Sequence, residues 1–253
     1  MGDSTNHLTD RWAVVTGSTR GIGKAIALEF AAAGANVVVH GRDRAAAEKV
    51  AASIRKLKRE AKPIVTDLST PDGRAMFVEQ AWRGRAIDVW VNNAGVDVLT
   101  GDGANMPFEE KINRLWNVDV LGTVELGRAV GARMKERGRG VILNIGWDQA
   151  ATGMAGDSGE MFAVVKGGIM NFTRSLAQSL APAVRVNCIA PGWIRTAWGE
   201  EASDYWQERA KGESLLGRWG EAEDIAHVAR FLASDAASFV NGQVIAVNGG
   251  RKG

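Results

Sequence analysis

A glycine-rich turn follows the first apolar run of the chain and has the spacing of an anion-binding site. Thr16 closes the apolar run Trp12–Thr16, and the turn continues through Gly17, Ser18, Thr19, Arg20, Gly21, Ile22 and Gly23. Glycine permits a tight turn and lets the backbone approach a phosphate closely. A helix that begins there points its free amide groups at the anion. Between a strand and a helix, such a turn predicts a dinucleotide-phosphate site.

The elements that would hold this turn are predicted by short apolar runs that alternate with longer stretches of helical period. Continuous apolar runs are typical of buried parallel strands, and seven are present: Trp12–Thr16, Val37–His40, Ile64–Thr66, Val89–Asn92, Val141–Ile145, Val184–Cys188 and Val244–Val247. Helices are predicted to begin near Gly21, Asp43, Pro71, Pro107, Asp119, Gly159 and Glu221. We therefore expect one α/β domain over residues 1–253, a doubly wound Rossmann fold with a seven-stranded parallel sheet and helices on both faces.

Composition and charge argue against several other classes of protein. The 31 basic and 29 acidic residues give a net charge of +2, which implies no general attraction to nucleic acid or to an anionic membrane. One cysteine, without a Cys/His cluster of ligand spacing, predicts no structural metal site. No apolar run approaches the roughly 20 residues that cross a bilayer, and the polar start of the chain lacks a signal core. A cytoplasmic location is the expectation.

Several further motifs follow the glycine turn in order. They are the pair Asp67-Leu68, the run Asn92-Asn93-Ala94-Gly95, the segment Arg185-Val186-Asn187 that leads to Pro191, Gly192, Ile194 and Thr196, and the terminal Asn248-Gly249-Gly250. Together they resemble the short-chain dehydrogenase/reductase family over nearly the whole chain. The resemblance implies that Asp67 and Leu68 contact adenine, that Asn93, Ala94 and Gly95 border the cofactor, and that the loop after Pro191 holds the nicotinamide end.

The end of the second predicted strand bears on which cofactor is bound. NAD-specific relatives carry a carboxylate there for the ribose hydroxyls, and that charge would repel a 2′-phosphate. Here the position is Gly41, followed by Arg42. Arg20 and His40 could add positive charge beside the same phosphate, and arginine binds phosphate through a planar fork of donors. The sequence therefore favours NADP(H) over NAD(H).

The family's catalytic positions are mostly changed in this chain. The resemblance implies a Tyr that donates the proton, a Lys four residues later, a Ser and an Asn. Aligning Lys166 as the lysine puts Phe162 at the tyrosine position, Trp147 at the serine position, after Gly146, and Asp119 at the asparagine position. Only Lys166 keeps the family's residue type, and phenylalanine has no proton to give.

Three interpretations remain open. In a rebuilt active site, Trp147 would offer an indole N–H, and Asp148, Asp157 or Glu160 would supply the proton if burial raised its pKa. In a non-catalytic protein, Lys166 would serve cofactor binding alone, as in a sensor or a partner subunit. In the third interpretation Tyr205, the one tyrosine of the chain, would act as the acid when a lid closes.

Residues at about 193–216 interrupt the alternation of strand and helix and are predicted to form a substrate lid. Trp147, Trp193, Trp198 and Trp206 are expected near the nicotinamide end, where aromatic walls suit a flat or apolar small molecule. The overall prediction is an NADP(H)-dependent oxidoreductase for an aromatic or apolar carbonyl or conjugated compound, with a non-catalytic NADP(H)-binding protein as the alternative.

The resemblance also implies a homo-oligomer, either a tetramer or a dimer. The helices that follow Asp119 and Gly159 would form its interface.

Overall fold

Seven parallel strands form one sheet in the computed structural model, which describes residues 7–196, 199 and 202–251. The strand order is β3-β2-β1-β4-β5-β6-β7, so the chain winds outward from β1 in one direction and, after β3, from β4 in the other. The strands are β1 Trp12–Val15, β2 Asn36–Gly41, β3 Ala61–Val65, β4 Val89–Asn92, β5 Gly140–Ile145, β6 Val184–Pro191 and β7 Val244–Val247. The predicted doubly wound sheet is confirmed.

Helices cover both faces of the sheet. They are α1 Gly21–Ala32, α2 Arg44–Lys56, α3 Pro71–Trp82, α4 Gly101–Ala104, α5 Phe108–Leu115, α6 Gly122–Glu136, α7 Asp157–Leu180, α8 Asp204–Glu213 and α9 Ala222–Ala233. Side chains of α1, α2 and α9 pack in one core on one face, and those of α3, α6 and α7 pack in a second core on the other. Successive strand residues point to opposite faces, so Val14 and Val15 belong to different cores. Burial on both faces explains why the strands read as continuous apolar runs.

A chain of polar side chains crosses the second core beneath the ends of β4 and β5. The indole of Trp90 donates to Oδ1 of Asn92 (2.7 Å), whose Nδ2 donates to Oδ1 of Asn144 (2.9 Å). Asn144 in turn donates to Oγ1 of Thr173 (2.9 Å), and that hydroxyl donates to the carbonyl of Ile169 (2.8 Å). These bonds fix β4, β5 and α7 relative to one another without leaving the buried amides unpaired.

The connection between α5 and α6 is a π-helical segment, Trp116–Leu121, so residues 108–136 run on without a break. A π-helical turn holds an extra residue and turns side chains away from the regular helix faces. Asp119 lies within this segment and is buried.

Among the described residues no helix is both long and apolar enough to cross a membrane.

Candidate functional site

The glycine turn joins β1 to the start of α1 and is held by the end of β4. Gly17 has φ +63°, and a Cβ built there would lie 2.9 Å from Cα of Ala94. The hydroxyl of Thr16 accepts from the amides of Asn93 (2.8 Å) and Ala94 (2.9 Å). The helix begins at Gly21 without a side-chain cap. The positive φ and the close approach to Ala94 explain why position 17 holds glycine, and the free amide groups at the start of α1 suit an anion such as a phosphate.

The rest of the turn is built around close contacts of its glycines and small side chains. A Cβ at Gly23 would lie 2.4 Å from the carbonyl oxygen of Gly17, so α1 packs directly on the turn. The amide of Ser18 donates to the carbonyl of His40 (2.8 Å), and the Ser18 hydroxyl accepts from the His40 amide (3.0 Å). These bonds tie the turn to β2, which carries the residues predicted to choose the cofactor.

Gly41, at the end of β2, touches the glycine turn. A Cβ built on Gly41 would lie 2.4 Å from Cγ2 of Thr19. Thr19 therefore occupies the space that a longer side chain at position 41 would need. The next residue, Arg42, is exposed, as is Arg20, and neither guanidinium forms an ion pair within the described part of the chain.

The prediction that His40 adds positive charge beside the cofactor is wrong. The ring is 3% exposed, Nδ1 accepts from the amide of Gly17 (3.1 Å), and Nε2 lies 3.2 Å from the carbonyl oxygen of Thr66. Burial lowers the pKa of His40 to about 4, despite the opposing effect of the Thr66 carbonyl. His40 is therefore neutral near pH 7 and supports the turn from below. The sequence shows the residue type but not its burial.

The pair predicted to contact adenine has one exposed and one buried member. Asp67 is exposed, and its Oδ1 accepts from the Ser69 amide (2.9 Å), which lowers the pKa of the carboxyl. Leu68 is 4% exposed and belongs to the second core. The Asp67 side chain is thus accessible to a ligand, while Leu68 contributes mainly packing.

A cavity of about 440 Å³ opens beside the glycine turn, at the carboxyl ends of the strands. Pro191, Gly192, Ile194 and Thr196, predicted to hold the cofactor, line it together with Ile22 of the turn. Its other walls are mostly apolar and aromatic: Leu99, Ile145, Gly146, Trp147, Met154, Ser158, Phe162, Lys166, Trp193 and Trp206. Crevices of this kind at the carboxyl edge of a parallel sheet are where such folds bind ligands.

Lys166 and Asp119 form an ion pair at the wall of this cavity. Nζ of Lys166 lies 2.8 Å from Oδ2 of Asp119, and the side chains are 13% and 3% exposed. Oδ1 of Asp119 accepts from the amide of Val96 (3.0 Å). Gly95 makes room for this carboxylate, because a Cβ there would lie 2.9 Å from Oδ2.

Phe162 and Trp147 line the cavity next to this pair. Phe162 lies one helical turn before Lys166 on α7, and its ring meets that of Trp147 edge-on at 6.1 Å between centroids. Gly146 precedes Trp147 and faces Cys188 of β6: a Cβ at Gly146 would lie 2.8 Å from Sγ. The thiol thus explains why the position holds glycine. Cys188 is fully buried, which raises the pKa of its thiol to about 12.

The three candidate acids differ in their surroundings. Asp157 and Glu160 are exposed and do not line the cavity. Asp148 is partly buried, which raises the pKa of its carboxyl, although bonds from Nδ2 of Asn248 (3.0 Å) and the Gln149 amide (2.8 Å) oppose the shift. Its Oδ2 would lie 3.4 Å from a Cβ on Gly192, so it borders the cavity wall from behind.

The segment predicted as a lid contains helix α8 and carries an aromatic cluster. The rings of Trp193 and Trp206 lie 5.5 Å apart, and both line the cavity. Glu213 accepts from the Trp193 indole (2.8 Å) and pairs with Arg209 (2.7 Å), whose guanidinium lies over the Trp206 ring at 5.0 Å. Trp198 lies outside the described residues.

The structure does not bring Tyr205 to the cavity. Its side chain is 66% exposed, and its ring lies edge-on against Trp206 at 5.2 Å. A residue that sequence reasoning missed is Ser158, which does line the cavity. Ser158, Phe162 and Lys166 stand at positions i, i+4 and i+8 of α7, so they share one face. That helical spacing is the one feature of the sequence that could have predicted Ser158 at the cavity.

Comparisons with known proteins agree with this architecture. A family model described as Enoyl-(Acyl carrier protein) reductase matches residues 17–252. The 3-oxoacyl-[acyl-carrier-protein] reductase FabG of Pseudomonas aeruginosa is 38% identical over 248 residues, covering 96% of this chain and 98% of the relative.

Two solved structures are similar over nearly their full length. One, named as an NAD(P)-dependent gluconate 5-dehydrogenase from Beutenbergia cavernae with NADP bound at low occupancy, has a TM-score of 0.87 and 34% identity, covering 97% of this chain and 98% of that one. The other, 7α-hydroxysteroid dehydrogenase with NADH and 7-oxo glycochenodeoxycholic acid, has a TM-score of 0.89 and 32% identity, covering 99% and 98%. From its fold, its cavity and these matches, the chain belongs to the short-chain dehydrogenase/reductase family of oxidoreductases.

Proposed function

We propose that the protein is an NADP(H)-dependent oxidoreductase that acts on an aromatic or apolar carbonyl or conjugated compound without an ionisable phenol. The observation that carries the proposal is the Lys166 ammonium at the wall of an aromatic cavity that continues to the glycine turn. The cofactor, when bound, supplies or accepts a hydride at the nicotinamide. Gly17–Gly23 would hold its phosphates, and Pro191, Gly192, Ile194 and Thr196 its nicotinamide end.

The chain's own residues would then stabilise the charge that develops on the substrate oxygen. The ammonium of Lys166, although paired with Asp119, would donate a hydrogen bond to that oxygen, and the Trp147 indole and the Ser158 hydroxyl offer further hydrogen bonds from the same cavity. Among the three candidate acids, Asp148 has the best surroundings, because burial raises the pKa of its carboxyl. Phe162 stands where the family's tyrosine is expected, so this proton source would be a substitute.

The substrate is proposed to be uncharged where it contacts the cavity. The cationic groups at or near the walls are already paired, Lys166 with Asp119 and Arg209 with Glu213. The rings of Trp147, Phe162, Trp193 and Trp206 provide most of the remaining contact surface. A carbonyl on an apolar skeleton, as in the 7-oxo steroid bound by the structural relative, matches these walls. Residues 193–216 would act as the lid over such a substrate.

Turnover tests the reaction. NADPH consumption is measured over a panel of aryl ketones, oxo-steroids and enones, with the wild type, Lys166→Met and the control Lys62→Met, whose side chain is exposed on β3. We expect turnover with at least one compound, lost in Lys166→Met and kept in the control. Tight NADPH binding without turnover over the whole panel would contradict the proposed reaction.

The alternative, a non-catalytic NADP(H)-binding protein, is favoured by one observation: no carboxylic acid lines the described part of the cavity.

The cofactor preference is proposed to depend on Arg42 rather than on His40. Quenching of tryptophan fluorescence measures the affinities for NADPH and NADH. Arg42→Ala should weaken NADPH binding about tenfold or more and leave NADH binding unchanged, because the guanidinium would contact only the 2′-phosphate. Arg44→Ala removes another exposed arginine, at the first position of α2, and serves as the control. Equal wild-type affinities for the two nucleotides would contradict the NADP(H) proposal.

We also propose that α6 and α7 form the interface of a homotetramer or dimer. Val164 on α7 and Trp116, just before α6, are 54% and 45% exposed. Sedimentation should give a mass above that of one chain for the wild type and a lower mass for Val164→Glu. Leu57→Glu, at an apolar residue of similar exposure at the end of α2, should leave the mass unchanged. A monomeric wild type would exclude this interface.

The cytoplasmic location stays a prediction.

A further inference from the structure

Asp119 is the feature of the site that the proposed reaction does not itself require. Both of its oxygens are engaged, one by the Lys166 ammonium at 2.8 Å and the other by the Val96 amide at 3.0 Å. The carboxylate is buried and lies in the π-helical segment Trp116–Leu121, packed against α7. A buried charge is stable only when it is paired and hydrogen-bonded, and here both conditions are met.

The same lysine would place a positive charge close to an ionisable group at position 162. Residues 162 and 166 lie one turn apart on α7 and both line the cavity. A positive charge within about 4–6 Å favours a phenolate, and a negative charge at that range disfavours it. Lys166 is paired with Asp119 at contact distance. The electrostatic effects of the two opposite charges therefore largely cancel at nearby positions such as 162.

We propose that Asp119 is a positioning residue that fixes the Lys166 ammonium in an ion pair and withdraws its charge from position 162. The absence of a phenol at position 162 is consistent with the presence of Asp119. While the carboxylate remains, Lys166 would lower the pKa of a phenol at position 162 only slightly. Restoring tyrosine alone would not rebuild a site in which lysine activates a phenol. This inference concerns the charges of the site and does not rest on the proposed reaction.

The other titratable groups packed around the cavity would influence a phenol equally in every variant compared below. Cys188, from β6, is a neutral thiol because burial raises its pKa to about 12. Asp148 is bonded to Asn248 behind Gly192, Glu160 is exposed on α7, and Arg209 is paired with Glu213 on α8. Differences between variants therefore report Asp119 and Lys166 alone.

The composition of the chain allows a direct spectroscopic test. Tyr205 is its one tyrosine, so Tyr205→Phe gives a tyrosine-free protein, and the nine tryptophans do not titrate. Phe162→Tyr in that background introduces a single phenol, whose pKa is read from the absorbance of the phenolate. Asp119→Asn and Lys166→Met are then added separately, and circular dichroism with NADPH-induced quenching checks that each variant is folded.

With Phe162→Tyr alone, the phenol should titrate near or above its ordinary pKa of about 10. Adding Asp119→Asn should lower that pKa by about one to three pH units, because Lys166 then faces the phenol without a counter-ion. Adding Lys166→Met instead should raise it, because the carboxylate is left alone. If Asp119→Asn does not fold, Asp119→Ser makes the same comparison.

A phenol whose pKa is already depressed in the Phe162→Tyr protein, or is unchanged by loss of Asp119, would overturn the inference. The titration needs no substrate and no cofactor, so its outcome is independent of whether turnover is found.

Discussion

Gly41 shows how packing constrains a position that is proposed to influence the choice of nucleotide. A Cβ there would overlap Thr19 of the glycine turn, at 2.4 Å from its methyl carbon. A carboxylate at this position, which would suit NAD, therefore needs space that Thr19 now fills. A nucleotide preference set at this position would be coupled to the packing of the turn and would not be reversed by charge alone.

Gly41→Asp should consequently destabilise the fold by about 1–3 kcal/mol and weaken the binding of both nucleotides, because the turn is overpacked. Adding Thr19→Gly should recover much of the stability and allow NADH to bind. Urea unfolding and fluorescence quenching measure the two effects. Gly212→Asp, in an exposed helix with nothing within 4 Å of its Cβ, is the matched control. Wild-type stability in Gly41→Asp would contradict the packing argument.

Residue types indicated part of the candidate site, and the remainder depended on neighbours in space. Lys166 and the glycine turn could be predicted, since their spacing follows a known pattern. The neutral state of His40 could not, because it arises from burial beneath Gly17 and Thr66. Nor could the Asp119–Lys166 pair, whose members are 47 positions apart and meet through the π-helical segment.

At the scale of elements, the polar chain from Trp90 to Thr173 fixes the strands that end at the cavity. Asn144 of β5 occupies its centre and bonds to Asn92 of β4 and Thr173 of α7. All three polar side chains are buried. Removing the central amide would leave two buried partners without a bond, which costs more than the bond itself contributes.

Asn144→Ala should lower the free energy of unfolding by about 2–3 kcal/mol, since it combines unpaired polar groups with a small void. Chemical denaturation followed by tryptophan fluorescence gives the value. Asn171→Ala, on the exposed side of α7, removes an amide of the same size and should change stability far less. Equal effects of the two substitutions would argue against a structural role for the hydrogen-bonded side chains from Trp90 to Thr173.

Sequence reasoning predicted the strands well because burial on both faces leaves an uninterrupted apolar run. Val89–Asn92 and Val244–Val247 agree at both ends, whereas β6 continues past Cys188 to Pro191. Helix α8, Asp204–Glu213, was not predicted: only Ala210 of it is buried, so its sequence carries no clear apolar stripe. Its position depends on Trp193, Arg209 and Glu213 instead.

For the molecule as a whole, buried His40 links stability to pH. Its pKa falls from 6.5 to about 4 on folding, chiefly through burial. Between these values the unfolded chain holds the extra proton and the folded chain does not. The contribution of His40 is thus complete above pH 6.5 and is lost as the pH falls toward 4.

We expect this residue to account for about 2 kcal/mol of the stability lost between pH 7 and pH 5. Unfolding in urea at both pH values measures the loss, which should be smaller by about that amount in His40→Asn. His227→Asn replaces an exposed histidine and should keep the wild-type loss. The same loss in His40→Asn as in the wild type would count against a neutral, buried imidazole.

The burial of Cys188 has a practical consequence for following motion. The chain has one cysteine, and its thiol is fully enclosed with a pKa raised to about 12, so maleimide reagents find no thiolate on the folded protein. A cysteine introduced by Tyr205→Cys on α8 would be the sole reactive sulfhydryl. A spin label there would report movement of the helix when nucleotide is added, with no need for a cysteine-free background.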